Sequence, residues 1–257
     1  MRHVLGFDQA QLIIRTKETI SVARREELFD LVQRRAAGEP TQYITGHQEF
    51  FALDFTVTRD VLVPRPETEF LVQRVIEHAR AVRENAPIIA DVGTGSGCIA
   101  VAIAVNLPDA RVIATDVSAP ALLVACANAE RHGVSKRIQF IEGDLVEPLI
   151  GAEKESLDII AANPPYVPST SPNLLPREVR EHEPPVALYG GADGLDHIRR
   201  LLESAPQALK SGGYMVIEIG YGQIEETTRL LDPAAWELIE VTNDLQAIPR
   251  TLTLRRK

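Results

Sequence analysis

From Ile88 onward the chain alternates short apolar runs with longer stretches of helical period. Ile88–Val92, Arg111–Asp116, Ile138–Glu142, Leu157–Ala162, Tyr214–Ile219, Trp236–Val241 and Thr251–Arg255 read as strands. Gly97–Asn106, Ser118–His132, Leu195–Leu209 and Gln223–Leu231 read as helices. Strands and helices in alternation predict an α/β fold, a mostly parallel seven-stranded sheet covered on both faces. No helix separates the last two strands, so the final strand is expected to pair antiparallel.

The first part of the chain follows a different pattern. Residues 1 to about 37 read as helical, with Ser21 as a cap and Val22, Leu28, Phe29 and Val32 as an apolar stripe among charges. Gly38-Glu39-Pro40 breaks the helix. Residues 42–63 alternate polar and apolar, with Phe55 and Val57 before a turn at Arg59-Asp60 and Val61 and Val63 after it, which predicts a β-hairpin. Pro64-Arg65-Pro66-Glu67-Thr68 is a stiff connector, and a helix follows from about Glu67 to Glu84. The expected division is an N-terminal helical domain over 1–40, a hairpin and connector over 41–66, and the α/β domain over 67–257. Residues 167–194, rich in proline and without periodicity, are too long for an ordinary connection and are expected to wall a substrate pocket.

Composition narrows the options. The chain has 257 residues, 45% of them apolar, enough for a substantial core. Its formal net charge of −9 lacks the basic footprint of a protein that grips long nucleic acid. No apolar run approaches the length of a membrane span, and the start has no secretory h-region. Cys98 and Cys126, the only cysteines, are expected to be free thiols in a cytoplasmic protein. The six histidines lack metal-ligand spacing, so no metal is expected. Neither a membrane nor a stable nucleic-acid partner is expected, and the chain is read as a monomer.

Two loops carry the chemistry. Asp91-Val92-Gly93-Thr94-Gly95-Ser96-Gly97 follows the first strand of the sheet and opens a helix, where glycines permit a tight turn and close approach to a ligand. Its G-x-G-x-G spacing puts Cys98 where a dinucleotide site has a third glycine, and it lacks the Lys-Ser/Thr ending of a phosphate-binding loop. Asp116, ending the next strand, is placed to accept both ribose hydroxyls. Asp144 is placed to meet an adenine amino group, with Leu145 against the ring. A carboxylate at a strand end is often only a cap, but successive strand ends carrying such groups favour an adenosine ligand without a pyrophosphate. S-adenosylmethionine fits. Gly93, Thr94, Gly95, Ser96, Gly97, Asp116, Asp144, Leu145 and Asn163 are the expected cofactor contacts.

Asn163-Pro164-Pro165-Tyr166 follows the fourth strand, at the sheet edge where ligands of such folds bind. Asn163 offers a side-chain carbonyl. Pro164 has a carbonyl and no N–H, and Pro165 restricts its backbone to extended geometry. Tyr166 adds a flat ring. Two fixed acceptors beside an aromatic plate suit a planar –NH2 group, either a carboxamide or the exocyclic amine of a base. A Pro-rich turn is the plain alternative for those four residues taken alone.

Several segments together resemble the HemK/PrmC family of protein-(glutamine-N5) methyltransferases that modify peptide chain release factors. They are Gly38–Gly46, Val61–Glu69, Asp91–Ala100, Asn163–Tyr166, Glu183–Leu188 with Gly190–Leu195, and Glu218-Ile219-Gly220. The Asn-Pro-Pro-Tyr motif also marks N6-adenine and some guanine-N2 methyltransferases. The Pro-Arg-Pro-Glu-Thr connector with Gly-Gly-x-Asp-Gly-Leu is more specific. Family members extend further at the amino terminus, which implies a shortened helical domain here.

The resemblance implies a Rossmann-like fold, S-adenosylmethionine as methyl donor, and class I release factors as partners. The acceptor is the glutamine of a Gly-Gly-Gln loop. Asn163, Pro164 and Tyr166 are then catalytic, and Asn163, Pro164, Pro165 and Tyr166 bind substrate. The rivals are a nucleic-acid base methyltransferase, a ribosomal-protein glutamine methyltransferase, and a non-catalytic adenosine-binding module.

Overall fold

The structure, a computed structural model, describes residues 1–81, 86–151 and 157–257. Three helices open it: α1 (Arg2–Leu5), α2 (Gln9–Ile14) and α3 (Val22–Ala36). Ser21 caps α3, its hydroxyl accepting the Arg24 N–H. The apolar stripe of α3 does not pack as its period suggests, for Val22 and Phe29 are each 61% exposed. Charge anchors the helix instead. Arg34 donates twice to the buried Glu39 carboxylate at 2.8 Å and Arg59 donates once at 2.9 Å. The Arg34 bonds lead in holding that carboxyl down to about 2.

After α4 (Thr41–Thr45), strands β1 (His47–Phe50) and β2 (Leu53–Thr56) form the hairpin. Its turn lies at Phe51-Ala52, not at Arg59-Asp60. Both turn residues are left-handed, with φ of 52° and 59°, and Phe51 N–H is held by Glu69 Oε1 at 2.8 Å. Burial selects this register, because it puts Phe50 and Phe55 inside. Helix α5 spans Thr68–Ala81, and the expected end at Glu84 falls outside the described residues.

The α/β part then runs β3 (Ile88–Val92), α6 (Cys98–Asn106), β4 (Arg111–Asp116), α7 (Ala119–Arg131), β5 (Ile138–Glu142) and β6 (Leu157–Ala162). It continues with α8 (Arg177–His182), α9 (Asp196–Ser204), β7 (Leu209–Glu218), α10 (Ile224–Arg229), β8 (Trp236–Asn243) and β9 (Pro249–Arg256). The helix expected over Leu195–Leu209 is shorter. It gives way to a 3-10 turn containing Pro206, and β7 begins at Leu209.

The seven strands lie in the order β5-β4-β3-β6-β7-β9-β8. The first five pair in parallel, and β9 is antiparallel to both neighbours. Period-two alternation sends Ile89, Ile159 and Ala161 to the core under α5 and α6. Ala90, Ile160 and Ala162 face the opposite core, with Ile198, Leu201 and Trp236. No described helix is long and apolar enough to cross a membrane.

The strand order reverses between β3 and β6, which is where open α/β sheets bind ligands. There Asp91 pairs with Ala161 and Val92 with Ala162. The chains leaving this edge are therefore Gly93 and Asn163, side by side.

Candidate active site

A cleft of about 950 Å³ opens over the carboxyl ends of β3 and β4. Gly93, Thr94, Gly95, Ser96, Asp116, Asp144, Leu145 and Asn163 all line it. The three loop glycines serve different ends. A Cβ at Gly93 or Gly95, at φ of 75° and 54°, would meet no protein atom within 4 Å, so the space above them belongs to whatever fills the cleft. Gly97 does not line the cleft. A Cβ there would sit 3.0 Å from Ala125 Cβ, so its smallness lets α6 pack on α7.

Asp116 holds the loop in place. Its Oδ2 accepts Gly95 N–H at 2.8 Å and its Oδ1 accepts Ser118 N–H at 2.9 Å. An ionised carboxylate has about four acceptor sites, so acceptor capacity remains for a ligand hydroxyl. Burial raises its pKa. Beneath the loop, fully buried Asp91 accepts from Thr94 Oγ1 at 2.6 Å and Ala100 N–H at 3.0 Å through Oδ2, while Oδ1 is unpartnered. Burial pushes Asp91 up to about 7. Asp144 accepts from Arg200 Nη2 at 2.7 Å, so its Oδ2 is already engaged at the edge of the cleft. Leu145 is left-handed, with φ of 50°, and its carbonyl accepts from Thr115 Oγ1 at 2.9 Å.

A second cavity meets the first at Asn163. Pro164, Tyr166, Glu218 and Arg250 line it, and Leu62, Arg65, Asn163 and Ala187 border both spaces. Pro165 faces the first cleft. The Pro-rich segment walls both: Pro184 and Val186 on the first, Leu175, Pro176 and Val179 on the second. Asn163 Nδ2 donates to Thr68 Oγ1 at 3.0 Å, and Thr68 Oγ1 donates to Glu218 Oε2 at 2.7 Å. Tyr166 hydroxyl donates to Glu218 Oε1 at 3.3 Å. Desolvation pushes Glu218 up to about 7, and it raises Tyr166 too, with the Glu218 charge adding to the effect.

Glycines elsewhere back the Asn163–Tyr166 turn. A Cβ at Gly190 would lie 2.4 Å from the Pro165 carbonyl, and one at Gly194 would lie 2.3 Å from the Tyr166 carbonyl. Gln223 closes the support, with Nε2 donating to the Tyr166 carbonyl at 3.0 Å and Oε1 accepting Gly220 N–H at 2.8 Å. Arg65 pairs with the buried Glu183, which also accepts Val63 N–H at 3.2 Å, so the connector and the Pro-rich wall are locked together.

Thr68, Gln223 and His197 are not among the expected contacts, whereas Pro184, Val186 and Ala187 fall in the Pro-rich segment expected to wall a pocket. Glu218 stood only inside a resemblance motif. One local signal does mark it: a lone carboxylate in the run Met215-Val216-Ile217-Glu218-Ile219 is buried with its neighbours and must find hydrogen-bond donors.

A cationic adenosine ligand fits this cleft. The lining carries Asp60 and Asp116, with Asp144 paired to Arg200, and its one arginine, Arg65, is paired with Glu183. A pyrophosphate would meet carboxylates and no unpaired guanidinium. S-adenosylmethionine, with its sulfonium and ammonium charges, meets a complementary surface.

Residues 1–46 match the PrmC N-terminal domain family, and residues 66–175 match the methyltransferase small domain family. A solved ribosomal protein L11 methylase from Lactobacillus delbrueckii subsp. bulgaricus shares the fold, at TM-score 0.54 and 22% identity, covering 75% of this chain and 80% of that one. Among curated proteins, the release factor glutamine methyltransferase of Geobacter sulfurreducens is 43% identical over 86% of this chain and 75% of its own. That of Nitratidesulfovibrio vulgaris is 38% identical over 99% of this chain and 85% of its own. Kinship at this level over nearly the whole length makes the chain a member of the release factor glutamine methyltransferase family.

Proposed function

We propose that this protein methylates the side-chain amide nitrogen of the Gly-Gly-Gln glutamine in class I peptide chain release factors, using S-adenosylmethionine. The observation that carries this reading is the junction at Asn163, where a cleft suited to an adenosine cation meets a second cavity lined by Pro164 and Tyr166. The cofactor, when bound, supplies an electrophilic methyl group on sulfonium.

The chain's own residues do the rest. Gly93 and Gly95 leave room for a ligand against the backbone, and Asp116 accepts hydroxyls of its ribose. Asn163 has its Nδ2 committed to Thr68, so its Oδ1 is the atom left to accept an N–H from the substrate. The Pro164 carbonyl accepts the second N–H, and Tyr166 packs on the amide plane. A glutamine nitrogen is a poor nucleophile because its lone pair is delocalised. Two acceptors on its hydrogens orient it and stabilise the positive charge that develops as the new C–N bond forms. Two flanking glycines let a bare backbone carry the glutamine into the second cavity. We assign residues 1–40 and the hairpin over 41–66 to docking the release factor, and 67–257 to chemistry.

Calorimetry tests the cofactor half of this reading. S-adenosylmethionine and S-adenosylhomocysteine should bind and NAD should not. Asp116→Ala should weaken binding by about 1.5–3 kcal/mol, the size of a lost hydrogen bond to a charged group. Equal binding of NAD, or undiminished binding by the variant, would defeat it.

A further inference from the structure

The chain Asn163, Thr68, Glu218 has a direction, and the direction has a chemical consequence. An amide side chain can present either its carbonyl or its NH2 to a cleft, and the two ends have nearly the same shape. Only the carbonyl helps a substrate –NH2. An NH2 facing the substrate would set donor against donor and oppose the developing positive charge. Something must therefore select the end, and Asn163 itself cannot.

We propose that Glu218, acting through the Thr68 hydroxyl, is the positioning residue that fixes which end of Asn163 faces the substrate. This role rests on the proposed function of Asn163 as amide acceptor, and hydrogen-bond polarity along the chain sets it. An ionised carboxylate accepts hydrogen bonds and donates none. Thr68 Oγ1, 2.7 Å from Glu218 Oε2, must then spend its single proton on Glu218. That leaves Thr68 only acceptor capacity toward Asn163, 3.0 Å away, so Asn163 must turn its NH2 inward and its carbonyl to the cleft. Tyr166 strengthens the assignment. Its hydroxyl stays protonated in this buried setting and donates to the other carboxylate oxygen, so both oxygens of Glu218 face donors.

Protonation of Glu218 undoes the arrangement. The acid proton can be given to Thr68, whose own proton then points at Asn163 and calls for its carbonyl. The amide flips and the acceptor leaves the cleft. Glu218 is 1% exposed, at the inner end of β7, and burial carries its pKa up to about 7. The groups acting on it come from several elements. Thr68 heads α5 and Glu67 just before it adds a like charge, Tyr166 follows β6, and Arg250, itself held by Asp244, enters from β9 with an opposing effect. Cys98 at the start of α6 feels the Glu218 charge and is a buried neutral thiol. Because the pKa is raised, the productive carboxylate form is favoured above about pH 7 and lost below it. Turnover should therefore rise with pH through that value.

The test is the pH profile of kcat between pH 5.5 and 8.5, with release factor and saturating S-adenosylmethionine. Saturation matters because burial also pushes Asp91, under the glycine loop, up to about 7. Wild-type protein is compared with Thr68→Val, Thr68→Ser and Glu218→Gln, and each variant's S-adenosylhomocysteine affinity is measured by calorimetry. Valine keeps the shape of threonine and removes the hydroxyl. Glutamine can donate to Thr68 and so removes the polarity signal. Both should lower kcat about 10- to 100-fold and flatten the profile, with product affinity within about twofold of wild type. Thr68→Ser restores the hydroxyl and should recover kcat to within about threefold and regain the acid limb. Wild-type kcat and an unchanged acid limb in Thr68→Val would overturn the proposal, as would reduced kcat with the limb intact. Failure of wild-type protein to label release factor at all would instead strike the underlying reading of Asn163.

Discussion

Replacing Asn163 with alanine should lower kcat by ~10²–10³, the usual loss when a positioned polar contact to a developing charge is removed. The effect should fall mainly on turnover. Asn163 borders both cavities, so a modest loss of cofactor affinity is compatible with the account, but Gly93, Gly95 and Asp116 keep their own places without it. The vacated space would also leave the Thr68 hydroxyl without its donor, so Asn163→Asp is a sharper companion. It keeps the size and cannot donate an N–H to Thr68. A kcat within a factor of a few of wild type for Asn163→Ala, measured by methyl incorporation at saturating cofactor, would remove Asn163 from the chemistry.

The second large effect is expected far along the chain from that motif. Gly194→Ala should reduce turnover by about 10² or more, because a misplacement of roughly 1 Å at a reacting centre has that cost. Gly194 sits at φ +81°, where a side chain is strained, and a Cβ there would lie 2.3 Å from the Tyr166 carbonyl and 3.1 Å from Pro168 N. The Gln223 amide, 2.9 Å away, can swing aside, but the Tyr166 carbonyl is backbone and cannot, so the Asn163–Tyr166 turn must move. The glycine loop stands on β3 and is untouched. Calorimetric affinity for S-adenosylhomocysteine should thus stay within about threefold of wild type. Wild-type turnover in the variant, or loss of cofactor affinity equal to the loss of turnover, would contradict this placement.

These two residues also mark how far the sequence is legible. The strands of the sheet, the loop after β3 and the turn after β6 follow from runs of apolar residues and from proline and glycine, signals that lie within a few positions of one another. The hairpin turn lies away from the position the sequence pattern suggests, for a physical reason. Phe51 and Ala52 carry no turn chemistry, and their left-handed backbone is imposed by the burial of Phe50 and Phe55 and by Glu69, a residue of α5. The stripe on α3 fits an amphipathic helix, yet Val22, Phe29 and Val32 remain exposed, since periodicity says which residues share a face and not what covers it. Most of all, the support of the site is long-range. Thr68 and Glu218 are 150 positions apart, and Thr68 and Asn163 are 95 apart. The resemblance flagged the segments that hold them, but their hydrogen bonds exist only once β6, β7 and α5 are folded together.

If the acceptor is a release-factor glutamine amide, transfer of a labelled methyl group reads it out. The protein is incubated with labelled S-adenosylmethionine and, separately, with a class I release factor, with the same factor carrying alanine for the Gly-Gly-Gln glutamine, with ribosomes, and with DNA. Label is expected in the intact release factor, and none in the alanine variant, ribosomes or DNA. Continued labelling of the alanine variant would mean that this amide is not the acceptor, and strong labelling of DNA would move the site to base methylation.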